Sequence, residues 1–215
     1  AEADDHVTGH RHIGKHTRQC VGVAHRCRRA MAAASDSLDE CLGIDALARL
    51  LAGGIDRRDE HHVGIVYLAG AQINAPAFAL LRAAMEALVR GAWLQRCATP
   101  EQVEAFVANE TLPFKYFGDL VNAVEAHAAE FSDKALSQLK LNSWTAMNSY
   151  AHGGMLQLGR RIKGGIIQQN FSPGEVVEVL TASGTFALMA LRQIAFLAEH
   201  EALLSEVDER LAGGK

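Results

Sequence analysis

Cysteine is scarce and poorly spaced for chemistry. Cys20, Cys27, Cys41 and Cys97 contain no C-x-x-C pair and none of the close spacings that a zinc site or a small disulfide scaffold needs, so all four read as reduced thiols. An excess of basic charge is also missing. The net charge of −4 excludes a surface that traps nucleic acid everywhere and leaves room only for local contact with RNA or DNA. No stretch near the start joins a basic segment, an apolar segment and a small-residue cleavage site, so export is not indicated and the cytoplasm is the expected location. No run is suited to crossing a membrane. Val63 to Leu81 comes nearest, but it holds Gln72, Asn74 and Pro76 and continues into Arg82 and Glu86, which suits the buried centre of a helical bundle. Alternating apolar and polar residues with β-branched enrichment are absent too, apart from a weak instance at Gly165 to Gln168. Beyond an alanine bias there is no internal repeat or low-complexity segment.

What is present is an ordinary globular composition, 49% apolar and 21% charged over 215 residues, enough for one core without disulfide or metal staples. Residues 1–16 are polar, with His6, His10, His12 and His16 and no apolar periodicity, and read as a disordered or tag-derived lead-in. Residues 17–212 read as a single helical-bundle domain. An alanine-rich helix from Cys20 to Leu51 is ended by Gly53 and Gly54. A second runs from about Asp59 to Cys97, bent at Pro76 where the ring removes a backbone hydrogen bond. Thr99, Pro100 and Gln102 form a start signal for a third, which reaches about Ala128 with Pro113 disturbing its middle. Ser132 can cap a fourth that runs to His152 and stops at Gly153-Gly154. A glycine-rich connection follows. Ser172, Pro173 and Glu175 repeat the capping signal, and Val176 to Leu211 supplies a long last helix. The expected fold is all-α, an antiparallel bundle of four to five main helices.

Chemistry is most concentrated between Asn142 and Gly154. Asn148 and His152 stand four apart and share a helix face, with Trp144 and Thr145 a turn earlier and Tyr150 between. A neutral imidazole can serve as general acid or base near pH 7, and Asn148 can orient it or bind an oxyanion. The bland alternative is that His152 only caps a helix C-terminus. Arg82, Glu86 and Arg90 form a second ladder in an apolar helix, either a structural ion pair that registers two helices or part of a catalytic site. Arg160, Arg161 and Lys163 are either a solvated loop or the cations that hold a phosphate beside His152. Neither the cysteine spacings nor any acidic–histidine cluster supplies converging metal ligands, and without a Glu-x-x-His pair a helical-bundle metalloenzyme is disfavoured; no metal or cofactor is expected.

The segments from Arg82 to Leu94 and from Leu141 to Gly154, with Gln157 to Arg161, resemble an uncharacterised bacterial helical family similar to the HEPN superfamily. That resemblance implies a HEPN-like bundle, commonly dimeric, and often an RNase of a toxin–antitoxin or phage-defence system. The HEPN RNase motif is an Arg, a polar residue such as Asn, and a His four to six positions after the Arg. Here the polar residue is Asn148 and the His is His152, while the Arg position falls on Met147. The missing Arg would stabilise charge at phosphorus while His handles the proton of the attacking 2′-hydroxyl. The expectation is therefore an RNA-binding or metal-independent endoribonuclease-type protein. It would use His152, Asn148, Arg82 and Glu86 for catalysis and Arg160, Arg161, Trp144 and Tyr150 for substrate. Its expected partners are a second copy of itself, RNA and an antitoxin protein, with no membrane. The alternative is a non-enzymatic dimerisation or ligand-binding module built from the same residues.

Overall fold

A computed structural model describes residues 60–131 and 133–213. The lead-in, the helix expected from Cys20 to Leu51, the first three cysteines, the four N-terminal histidines and the Ser132 cap all lie outside the described residues. The described part is all-α. Its helices are α1 (60–70), α2 (Asn74–Arg96), α3 (Pro100–Asn109), α4 (Phe117–His127), α5 (Ala135–Ala151), α6 (Met155–Gly159), α7 (Pro173–Leu197) and α8 (Glu201–Gly213). A single 3-10 turn, Ala129–Phe131, joins α4 towards α5, and a two-residue antiparallel ladder pairs β1 (Ile162–Lys163) with β2 (Ile166–Ile167). The weak strand expected after Gly165 is β2.

There are more helices than the four or five expected, because three expected helices are each broken in two. The break between α1 and α2 falls at Ala71–Ile73, where Gln72 adopts left-handed backbone and the Ile73 N–H returns to the Leu68 carbonyl at 2.8 Å. Pro76 is therefore not a bend in mid-helix. It sits in the first turn of α2, where an N–H has no intrahelical acceptor and its loss costs nothing. Pro113 likewise lies between α3 and α4 rather than inside one helix, and Glu110 closes α3 in left-handed backbone. The last helix breaks at Ala198–His200, where the His200 Nδ1 accepts the Leu203 N–H at 3.2 Å and so caps α8.

α2 is the centre of the fold and packs against α4, α5 and α7, while α7 carries α8. It can do so because it is apolar almost all round, with Phe78, Met85, Leu88, Val89 and Trp93 buried and alanines at positions 75, 77, 84 and 92 that let neighbours approach closely. Leu136, Leu180 and Val121 close the core from α5, α7 and α4. Each such side chain withdrawn from water stabilises the fold by about 1.5–3 kcal/mol. The apolar faces of α2 and α5 are thus buried within the chain itself, and what α2 leaves at the surface is its polar ladder. Among the described residues one helix, Pro173–Leu197, is long and apolar enough to cross a membrane, and over half of its apolar window is buried against the rest of the protein.

The start of α5 shows how a polar group is buried at no loss. Its N-cap, Lys134, is in left-handed backbone, and the first-turn N–H groups are met from outside the helix. Asp133 Oδ1 accepts from the Ala135 N–H at 3.1 Å, and the buried Glu125 of α4 accepts from the Ser137 N–H at 2.7 Å and its hydroxyl at 2.5 Å. A carboxylate at a helix N-terminus also complements the dipole, and Lys134 Nζ lies 3.6 Å from the same group. α5 is thereby fixed against α4 in both position and rotation.

Candidate functional site

The rotation of α5 decides which of its residues face α2. Met147 and Tyr150 turn inward and are buried, whereas Trp144 and Asn148 are half-buried at the edge and His152 is exposed at the C-cap. Met147 is 2% exposed, so the position that a HEPN motif gives to Arg is here part of the hydrophobic core. A guanidinium there would point into apolar side chains.

The guanidinium comes instead from α2. Arg82 Nη1 contacts the His152 Nε2 across 70 residues of sequence. Arg carries only donors, so Nε2 is the acceptor in this contact. The same guanidinium donates through Nε to Glu86 Oε1 at 2.9 Å, and Arg90 donates to Glu86 Oε2 at 3.3 Å. It also lies over the Trp144 ring, 5.1 Å from the centroid, and Trp144 is stacked on Phe117 of α4 at 4.4 Å with 7° between planes. Arg82 is thus held by a carboxylate and a ring face with its outer end on His152. Arg, Glu, His and Trp from two helices form one cluster at the α2–α5 edge.

The backbone after His152 is built around two glycines with different tasks. Gly153 has φ +67, the left-handed conformation that ends a helix, and the Gly154 N–H closes on the Ser149 carbonyl at 2.7 Å. Gly154 has no room for a side chain: a Cβ would lie 2.5 Å from Ser149 Oγ and 2.9 Å from its Cα. Ser149 Oγ in turn accepts the Leu156 N–H at 3.0 Å and starts α6. The turn places the imidazole at the rim and sends the chain sharply away from it.

Not every residue singled out from sequence joins this cluster. The Asn148 side chain forms no hydrogen bond among the described residues; only its carbonyl is used, by the His152 N–H at 3.0 Å. Tyr150 groups with Phe78 (ring centroids 5.0 Å apart) and Phe171 (6.3 Å) in the core. Arg160 is bound to Glu175 and donates to the Asn170 carbonyl at 3.4 Å. Its hydrogen bond with Tyr150, and then the Glu175 charge, hold the guanidinium even more firmly protonated than usual. Burial pushes the Glu175 carboxyl up, but the Ser172 hydrogen bonds and Arg160 outweigh it and hold that group below its ordinary range. Arg160 therefore serves the start of α7, while Arg161 is exposed. One participant gives no sequence signal: Phe117, which backs Trp144.

Elsewhere, Cys97 is a half-buried free thiol, pushed up by burial and by Glu130 and eased by Arg96. Among the described residues no three His, Cys, Asp or Glu side chains gather closely enough to hold a metal ion.

No curated protein and no solved structure matches this chain. One family model does, and it covers residues 58–212, well over half of the sequence and all of the cluster just described. The chain belongs to DUF6988, a family of unknown function.

Proposed function

We propose that the Arg82–His152 contact is the centre of a metal-independent, HEPN-like site that binds RNA and cleaves it, in the cytoplasm of a bacterium and within a toxin–antitoxin or defence system. The single observation that carries this reading is the guanidinium of Arg82 on the His152 Nε2. It supplies from another helix the Arg that the motif lacks at Met147. The pairing suits a phosphodiester. A phosphate oxygen competes with Nε2 for the guanidinium, and as Arg82 turns to the phosphate the imidazole lone pair is released. The 2′-hydroxyl then gives its proton to Nε2 as its oxygen attacks phosphorus. The bond to the 5′-oxygen breaks, leaving a 2′,3′-cyclic phosphate, and the imidazolium returns the proton to the departing oxygen. Glu86 and Trp144 keep Arg82 in place, and Asn148 is within one turn to orient the phosphate. The dimer common among HEPN proteins and an antitoxin that covers the site belong to the same reading.

The test compares His152→Ala and Arg82→Ala with the unaltered protein on a fluorescent RNA in excess chelator. Each variant is expected to lose about 10²–10⁴ in cleavage rate, the usual worth of a proton carrier or a charge-stabilising group. The His152 variant should lose no more than about 1 kcal/mol of stability, since the residue is exposed at a helix end. Full activity in either variant sinks the assignment. A second reading has its own support: Glu86 already neutralises Arg82 within α2, and the paired guanidinium reaches His152 at the end of α5, as a structural contact that registers the two helices would. A non-enzymatic module of that kind forecasts lower melting temperatures for both variants and no RNA cleavage by the unaltered protein.

A further inference from the structure

The segment that leaves His152 and returns at Phe171 is unlike the rest of the surface. Of the twelve large hydrophobic side chains exposed among the described residues, six lie here: Met155, Leu156, Leu158, Ile162, Ile166 and Ile167. Ile167 is 87% and Met155 79% exposed, so these are open side chains and not the rims of buried ones. The backbone does not let them fold inward. α6 is followed by the β1–β2 hairpin, whose turn residues Gly164 and Gly165 both have positive φ, and a Cβ at Gly159, Gly164 or Gly165 would meet nothing within 4 Å.

The base of this arm is nevertheless fastened. The Gln168 and Asn170 N–H groups bond to the Arg161 and Arg160 carbonyls at 2.9 Å, and Arg160 is paired with Glu175 on α7. The arm is held out, with its aliphatic end in water. Six large apolar side chains exposed within thirteen residues mark a contact surface, because each one left in water forgoes about 1.5–3 kcal/mol of burial.

Charge selects the occupant. Residues 153–170 contain no Asp or Glu and carry Arg160, Arg161 and Lys163, of which Arg160 is paired with Glu175, in a chain whose net charge is −4. Nucleic acid would match the charge but would call for aromatic side chains on which bases stack, and residues 153–170 contain none. A second copy meeting arm to arm across a two-fold axis would match the aliphatic ends but would set like charges against each other with no acid to pair them. An anionic lipid surface satisfies both, taking the aliphatic side chains below its headgroups and Arg161 at them. We propose that residues 155–167 form a membrane-docking arm that seats this protein on anionic bilayers, without spanning them.

The test is co-sedimentation of the full chain with vesicles of phosphatidylcholine alone and of phosphatidylcholine containing about 30% phosphatidylserine, at low and high salt. Binding is expected to the anionic vesicles, weaker at high salt, and to be nearly absent on the neutral ones. The double variant Ile166→Ser/Ile167→Ser should bind at least about tenfold more weakly, since two aliphatic side chains no longer enter the lipid. Both positions are exposed, so its thermal unfolding should match that of the unaltered protein and report that the fold is intact. Absence of binding to anionic vesicles overturns the proposal, as does binding that the double variant retains. A double variant that instead loses self-association or RNA binding, with no vesicle binding by the parent, would give the arm to a second copy or to nucleic acid.

Discussion

Gly154 shows how closely the candidate site is built, because the chain passes Ser149 at a distance that leaves no space for a methyl group. In Gly154→Ala, either the Ser149 backbone or the turn must move, and overpacking of this kind costs about 1–3 kcal/mol. Gly159→Ala, where a Cβ meets nothing within 4 Å, should stay within about 0.5 kcal/mol of the parent. Urea unfolding of the two variants checks the contrast, and equal stabilities would show that the turn is not packed as described. Single residues of the site were legible in sequence, since His152, Arg82, Glu86 and Trp144 each stood out as polar or aromatic groups at helical spacing. Their grouping was expected from the HEPN-like resemblance and not from spacing. Arg82 and His152 are 70 positions apart, and no local rule relates the rotation of α2 to the end of α5. Local spacing even suggested the wrong partner: Asn148 shares a face with His152, yet it is Arg82 that engages the ring.

Among the elements, the best-read boundaries were the ones with side-chain chemistry. Thr99 with Gln102 and Ser172 with Glu175 each form the reciprocal capping box that their spacing predicts. The break at Gln72 was missed although Gly70 stands just before it, and the one at His200 has neither glycine nor proline beside it; tertiary packing decides where α1 and α7 stop. One carboxylate does much to hold those pieces together. Glu130 accepts from Arg96 of α2 at 2.8 Å and from Gln193 of α7 at 3.0 Å, and Arg192, 3.8 Å away, passes the link to Asp208 of α8 at 2.6 Å. Burial pushes the Glu130 carboxyl up, but its backbone hydrogen bond, Gln193 and the two guanidinium groups win and hold it below its ordinary value. A carboxyl depressed in the folded state stabilises the fold at pH values above its unfolded pKa and ceases to do so as pH falls through the folded one. Stability should therefore be level near neutrality and decline below about pH 4.5, the usual glutamate range. Glu130→Gln should be less stable at pH 7 and lose less on acidification, as urea midpoints at pH 7 and pH 4 would report. An unchanged pH response in the variant would remove Glu130 from this role.

For the molecule as a whole, the all-α class was legible from period and composition, while the number of helices and the outward arm were not. The arm is the harder case, because exposed aliphatic residues between glycines obey no pattern that a buried core imposes. The apolar faces of α2 and α5 are occupied inside the chain, so the expected dimer would form on other surface, such as the outer side of α5 around the 77% exposed Leu141. Light scattering at tens of micromolar protein is expected to give a dimer mass, and Ile166→Ser/Ile167→Ser should leave that mass unchanged. A monomer mass would remove the dimer from the proposed function. The separation of Arg82 from His152 has a last consequence, for the ribosome. A growing chain that has released α2 but not the end of α5 carries the guanidinium without the imidazole, so on the proposed function a newly made protein would stay inert towards the messenger that encodes it until the second half had emerged and docked.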